Sequence, residues 1–128
     1  RNGLPIAIRV ESASPHEVKL VEKTINSRFI GECFRRLVGD KAYDSDALDK
    51  KLLEKGIKLI SPHKSNRTKA KTQDGRELRA YKIRWRIERF FAWLHNFRRV
   101  VTRWDTKVSH FEGFVNLACI IILGRNLF

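Results

Sequence analysis

Two carboxylates stand in settings that could carry chemistry. Glu88 is the only acid between Glu77 and Asp105, and Arg84, Arg86 and Arg89 surround it in sequence. Positive charge at that density favours the ionised carboxylate. Asp40 closes a short run, Arg35-Arg36-Leu37-Val38-Gly39-Asp40, that reads as a strand ending in an acid. Taken singly, neither residue is specific. An Arg84–Glu88 pair four residues apart on a helix is ordinarily a surface ion pair of about 0.3–0.5 kcal/mol, and an acid after a strand is ordinarily a loop or capping residue. Together they suggest more. Open α/β sheets place their ligands at the C-terminal ends of strands, and a later helix can bring a Glu to such an Asp. Carboxylate oxygens suit hard divalent cations. A pair of those cations about 3.5–4 Å apart stabilises the attacking and leaving oxygens of a phosphoryl displacement. Lysines and arginines around them would hold a phosphodiester backbone, with affinity falling steeply as salt rises.

The elements that must position these groups are legible from periodicity and caps. Residues 4–10, Leu-Pro-Ile-Ala-Ile-Arg-Val, read as a strand behind an Asn2-Gly3 turn. Asn-Gly is a strong hairpin signal, so a hairpin with no strand before it implies that the start of the domain is missing. Ser14, Pro15 and Glu17 form a helix start, predicting a helix over 15–28 with Val18, Val21 and Ile25 on one face. A strand over 35–40 comes next. Asp44-Ser45 can cap a helix to residue 55 with Leu48, Leu52 and Leu53 inward, and Gly56 suits its C-terminal end. Residues 57–60 form a second strand, stopped by Pro62. Strand–helix–strand over so few residues is a βαβ unit, so the two strands should be parallel. Residues 63–75 form a basic loop without apolar periodicity, expected to be mobile.

A strong helix is predicted from residue 76 to 99, within a 76–104 segment that carries Glu88. Ile83, Ile87, Phe90, Phe91, Leu94 and Phe97 make its apolar face, with Phe90 and Phe91 in the core. Tyr81, Arg84, Glu88 and His95 form a second stripe, at steps of three, four and seven residues. A last apolar helix over 110–126, within a 108–127 segment, should pack in the core. Its longest apolar stretch, 114–123, is interrupted by Asn116 and is short of the ~18–20 residues of a membrane span. Trp85, Trp93 and Trp104 read as core in preference to base-stacking platforms.

Composition narrows the partner. The chain of 128 residues has 27 Lys and Arg against 14 Asp and Glu, a net charge of +13. Between Lys64 and Lys107 there are 14 basic and 4 acidic residues, a net of +10, so the excess is concentrated in one third of the chain. That concentration favours a binding surface over general solubility; nucleic acid is the commonest partner for such a charge, with an acidic membrane the rival. Hydrophobic residues make up 42%, enough for a core and too many for disorder. Cys33 and Cys119 lack metal-ligand spacing and read as buried, reduced thiols of a cytoplasmic protein.

The motifs around the two acids resemble a known family. Gly39-Asp40-Lys41-Ala42-Tyr43-Asp44-Ser45 is similar to the segment around the second aspartate of DDE transposases of bacterial insertion sequences. Tyr81-x2-Arg84-x3-Glu88 is similar to their Y-x2-R-x3-E signature. The Asn2-Gly3-Leu4-Pro5 start and Ala13-Ser14-Pro15-His16-Glu17 resemble the third-strand region, so the resemblance runs along essentially the whole chain. A Lys often follows the family's Glu by seven residues; here that position is His95. The resemblance implies an α/β, RNase H-like fold, incomplete because the first two strands are missing, with long C-terminal helices. It implies Mg²⁺- or Mn²⁺-dependent strand cleavage and transfer, with Asp40 and Glu88 as catalytic metal ligands. Tyr81, Arg84, Arg86, His95, Lys64 and Arg67 would support the site or contact DNA. Transposon terminal inverted repeats and target DNA would be the partners, with self-association in a transposition complex at the nucleoid and no membrane. The first aspartate has no candidate, Glu11 and Asp44 being of the wrong type or place, so the isolated chain is expected to be inactive. Two further readings stay open: a non-enzymatic basic DNA-binding module or remnant of a decayed element, in which Arg84, Arg86, Arg98, Arg99 and Arg103 grip phosphates, and a metal-dependent nuclease outside transposition.

Overall fold

A computed structural model describes residues 3–12, 14–31 and 34–127. Asn2 of the expected turn, Ala13 beside the expected helix cap and Cys33 lie outside them. The chain is mixed α/β and divides into two compact units. One comprises His16–Val21 and Gly31–Arg84; the other comprises Arg1–Pro15, Glu22–Ile30 and Trp85–Phe128. Helix α1, Glu17–Asn26, contributes to both. It starts two residues later than Pro15 implies, and it buries Val21 and Ile25 while Val18 stays half-exposed.

The first unit is built on the expected βαβ arrangement. Strand β1, Arg36–Val38, pairs in parallel with β2, Lys58–Ile60, in the register Arg36–Lys58, Leu37–Leu59 and Val38–Ile60. The Gly39 amide donates to the Ile60 carbonyl at 3.0 Å, carrying the pairing one residue past β1. Helix α2, Asp46–Glu54, makes the crossover. The Ser45 hydroxyl caps it by accepting from the Leu48 amide at 3.4 Å. Beyond its C-terminal end Gly56 takes φ +72°, a left-handed conformation that costs glycine little. Leu48, Leu52, Ile57, Leu59 and Ile60 are buried. Leu53 is not: it is 63% exposed, because one residue beyond Leu52 the helix has turned about 100° away from the core. Strand β1 is also less buried than its apolar run suggested, with Arg36 exposed and Leu37 and Val38 half-buried.

The second unit is helical. Leu94, Val115, Ala118, Cys119 and Ile122 form its core, with Leu4, Ile8, Val10, Phe90, Trp93, Phe97, Val100 and Phe111 packed against it. The 4–10 segment is not a strand. It makes one antiparallel bridge, Ala7 with Arg28, and the Phe29 amide donates to the Ile6 carbonyl at 2.8 Å. Leu4, Ile8 and Val10 still pack on the core, while Ile6, at the same alternate spacing, is 40% exposed.

The expected long helix over 76–99 is broken. Glu77–Arg84 is a 3-10 segment belonging to the first unit; α3 spans Trp85–Leu94 and α4 Arg98–Val101 in the second. The break after α3 is visible in its hydrogen bonds, whose span drops from four residues, His95 amide to Phe91 carbonyl (3.0 Å), to three, Asn96 amide to Trp93 carbonyl (3.2 Å) and Phe97 amide to Leu94 carbonyl (3.0 Å). Asn at this point favours a turn, and Phe97 is extended with no side-chain cap on α4. The apolar stripe is consequently buried only in part. Leu94 is buried, whereas Ile83, Ile87 and Phe91 are each more than two-fifths exposed, correcting the assignment of Phe91 to the core. Trp93 packs on the core, but Trp85 and Trp104 are exposed, against the expectation for those two.

Helix α5, Val108–Leu127, buries Val115, Ala118, Cys119 and Ile122, the spacing of a single helical face. Leu117 and Ile120 on other faces are exposed. With its flanks included, Val108–Asn126 has a mean hydropathy of 1.3, long and apolar enough by composition to cross a membrane. A core helix passes the same test; 22% of this segment is buried, along the single stripe that meets the core. Cys119 is a free thiol whose pKa burial pushes up.

Candidate functional site

Asp40 sits two residues past the C-terminal end of β1, on the 39–40 connection that leads into a short 3-10 turn, Lys41–Tyr43. Its Oδ1 caps that turn, accepting from the Ala42 amide at 2.9 Å. Gly39 allows the turn to fold back tightly, since a Cβ there would lie 2.8 Å from the Tyr43 ring. Burial raises the Tyr43 phenol pKa, and the negative charges of Glu17 and Asp40 add to the effect. The hydroxyl therefore stays protonated at neutral pH.

Glu88 lies in the first turn of α3, exposed to solvent, where the helix dipole favours a negative charge. The guanidinium of Arg89 stacks on Trp85 at 4.8 Å and on Trp93 at 4.9 Å, and that of Arg86 lies 5.8 Å from Trp85. Gly3, at φ +74°, fits against this face: an added Cβ would meet Arg89 Nη2 at 3.1 Å and Arg86 Cβ at 3.2 Å.

Tyr81 and Arg84 do meet. Arg84 Nη1 donates to the Tyr81 hydroxyl at 2.7 Å, and its guanidinium lies 5.2 Å from the ring centre. Three residues complete one turn of a 3-10 helix, so this pair is superposed there more closely than on an α-helix. The stripe does not run on to His95, which falls in the exposed turn after α3. Asp40, Tyr81 and Arg84 belong to the sheet-containing unit; Glu88, Arg86 and His95 belong to the helical one.

The most elaborate polar arrangement was not anticipated from sequence. Asp44, only 7% exposed at its side chain, accepts from Arg67 Nη1 at 2.9 Å and from the Lys64 amide at 2.8 Å, and lies 2.9 Å from His63 Nδ1. Arg67 Nη2 reaches Asp46 at 2.7 Å, and both Nε and Nη2 donate to the Ala70 carbonyl, at 3.2 and 2.9 Å. His63 Nε2 accepts from the Thr72 and Gln73 amides at 3.2 and 3.4 Å, so Nδ1 carries the proton shared with Asp44. Burial alone would raise the Asp44 pKa. Bonds from the Lys64 amide and His63, with the charge of Arg67, outweigh it and hold the carboxyl below its usual range. The hydrogen bond from Arg67 likewise lowers Asp46.

The 63–75 segment is thus a pinned loop, contrary to the mobile one expected. Its partners are 19 to 23 residues away in sequence, where local periodicity gives no signal. The one available hint was the Asp44-Ser45-Asp46 cluster facing a basic loop across the βαβ unit. Lys64 and Arg67, expected to touch DNA, both take part here, Arg67 with a guanidinium that is largely enclosed.

Carboxylate oxygens of Asp40 and Glu88 have the donor chemistry for a hard divalent cation. Among the described residues, no group of three or more His, Cys, Asp or Glu side chains is arranged to hold one.

Comparison with known proteins places the chain. A family model described as a transposase DDE domain matches residues 1–123. A protein from Burkholderia cepacia, named as a transposase for insertion sequence element IS402, is 28% identical over 134 residues, covering 98% of this chain and 60% of that protein. Another from Brucella ovis, named as a transposase for insertion sequence element IS6501, is 35% identical over 89 residues, covering 70% of this chain and 67% of that protein. The chain therefore spans about three-fifths of the length of its IS402 relative. No solved structure matches. With a match over 123 of its 128 residues, and with the motif residues in the elements described above, the chain belongs to the transposase DDE domain family.

Proposed function

We propose that this chain is a catalytic segment of an insertion-sequence transposase, acting in metal-dependent cleavage and strand transfer at transposon ends. The observation that carries the reading is the position of Asp40, just beyond a parallel strand of a βαβ unit, within a chain that matches the DDE domain over residues 1–123. That is where an open α/β sheet presents ligands, and it is consistent with an RNase H-like parent fold. Asp40 and Glu88 would hold Mg²⁺ or Mn²⁺. When bound, such ions stabilise charge on the oxygens of a phosphoryl displacement. Tyr81 and Arg84 act as one hydrogen-bonded unit that presents a cation to the scissile backbone; Arg86 and His95 lie on the helical side. The partners are terminal inverted repeats and target DNA, in a self-associated complex in the cytoplasm.

Two carboxylates do not complete the triad, so strand cleavage belongs to the parent enzyme and the chain by itself is inactive. Incubation with terminal-repeat DNA and Mg²⁺ or Mn²⁺ tests this directly: DNA should be bound and left uncut. Cleavage by the chain alone would refute the inactivity, and a chain that bound no DNA would refute the functional reading.

One observation favours a second reading, a basic DNA-binding module without metal. Arg98, Arg99 and Arg103 are exposed in and after α4, in the segment with the greatest basic excess. Mn²⁺ titration followed by electron paramagnetic resonance separates the two. Asp40→Asn and Glu88→Gln should each weaken Mn²⁺ binding and spare DNA binding; equal Mn²⁺ binding in all three proteins favours the module.

A further inference from the structure

An open groove of about 700 Å³ lies within the sheet-containing unit, bordered by the start of α1, the N-terminal turn of α2 and the 64–69 loop. His16, Lys19, Ser45, Lys64, Asn66 and Lys69 are among its lining residues. Two acids, Asp44 and Asp46, also face it, but each is matched: Asp44 by Arg67 at 2.9 Å, and Asp46 by Arg67 at 2.7 Å and Lys69 at 3.4 Å. Lys19, Lys64, Arg67 and Lys69 against Asp44 and Asp46 leave the lining a net charge of +2, with hydroxyl and amide donors between the lysines.

Arg67 is the obvious candidate to grip a phosphate, yet its geometry argues otherwise. Its Nε and both terminal nitrogens are occupied by Asp44, Asp46 and the Ala70 carbonyl, and its side chain is only 11% exposed. A guanidinium so engaged cannot also present its two-pronged face to a phosphate. What it does instead is tie the loop to the start of α2, while His63 ties the far end of the loop through the Thr72 amide. Lys69, by contrast, has a side chain 75% exposed at the rim.

We propose that this groove binds the sugar–phosphate backbone of DNA, with Lys19, Lys64 and Lys69 supplying the charge and Arg67 positioning the loop that carries two of them. The inference rests on the transposase reading and adds to it a contact surface whose lining includes neither Asp40 nor Glu88. An open groove lined by lysines and short polar side chains suits an extended polyanion, which it holds by charge and without reading sequence.

The test is anisotropy of a short labelled duplex against the full chain and its variants over a range of salt, with circular dichroism to verify folding. Lys64→Ala combined with Lys69→Ala should weaken binding about tenfold and flatten the log–log salt slope by roughly 1 per lysine. A charge-matched control outside the groove, Lys23→Ala with Lys50→Ala, should change both much less. Arg67→Lys keeps the charge but not the fork. It should weaken binding in the parent chain, speed amide exchange at Thr72 and Gln73, and have no further effect once Lys64 and Lys69 are gone. If the groove variant behaves like the control, the groove is not the binding surface. If Arg67→Lys weakens binding equally in both backgrounds, Arg67 contacts DNA itself and its positioning role fails. If the parent chain binds no duplex at all, the transposase reading falls, an outcome distinct from either of the others.

Discussion

The two compact units are stabilised differently. In the sheet-containing unit a small apolar core sits beside a dense charged network, and among the described residues only Leu53 and Ile83 are large hydrophobics left exposed. In the helical unit eleven are exposed among the described residues, including Phe91, Trp104, Leu117 and Ile120, around a core drawn mainly from one stripe of α5. The first unit ties Asp44, Asp46, His63 and Arg67 together through contacts distant in sequence. The second leaves apolar surface of the kind that elsewhere marks contact with other protein. The motif residues divide along the same line, with Asp40, Tyr81 and Arg84 in the first and Glu88 in the second.

The sharpest way to break the comparison is to hollow the first unit's core. Leu52→Ala removes a side chain with no exposure and should cost about 2–5 kcal/mol in urea unfolding. A loss under 1 kcal/mol would mean that the charged network, and not the leucine, holds this unit together. Gly39→Ala tests the turn that presents Asp40. Its Cβ meets the Tyr43 ring at 2.8 Å, and the resulting shift should cost about 1–3 kcal/mol and displace the Tyr43 ring resonances in NMR spectra.

Acid titration probes the network itself. The folded Asp44 carboxyl titrates below its ordinary value of 3.8, so its contribution is complete above that value and is lost as pH falls through the lower folded pKa. The Lys64 amide resonance, which reports its bond to Asp44, should hold steady from neutral pH to about 5 and move only in stronger acid. A carboxyl-carbon titration of Asp44 with its midpoint at or above 3.8 would contradict the clamp. The smallest effect is expected at Leu53→Ala, within about 0.5 kcal/mol in the same urea assay, because that side chain is already in water.

Much of the first unit was legible. The Ser45 cap, Gly56 and the two apolar runs define strand–helix–strand by local chemistry, and parallel pairing follows from the helical crossover between the strands. The placement of Asp40 after β1 followed from the same signals. The helical unit was less so. A 3.6-residue stripe from Ile83 to Phe97 describes a potential helix face, but whether a helix continues depends on what covers that face. Ile83, Ile87 and Phe91 are about half exposed, and the helix ends at Leu94. The strand expected over 4–10 failed for a related reason, since alternation signals one buried face and a ladder requires a partner, here reduced among the described residues to the bridge at Ala7.

Sequence by itself determined the family, the basic surface charge, the βαβ unit and the candidate acids, because caps, turns, alternation and motif spacing are all encoded within a few residues. Tertiary structure alone decided that the 63–75 loop is fastened, that Arg67 faces Asp44 and Asp46, and that a groove lined by Lys19, Lys64 and Lys69 lies beside them. Those partners lie some twenty residues or more apart, and only the fold brings their charges within hydrogen-bonding distance.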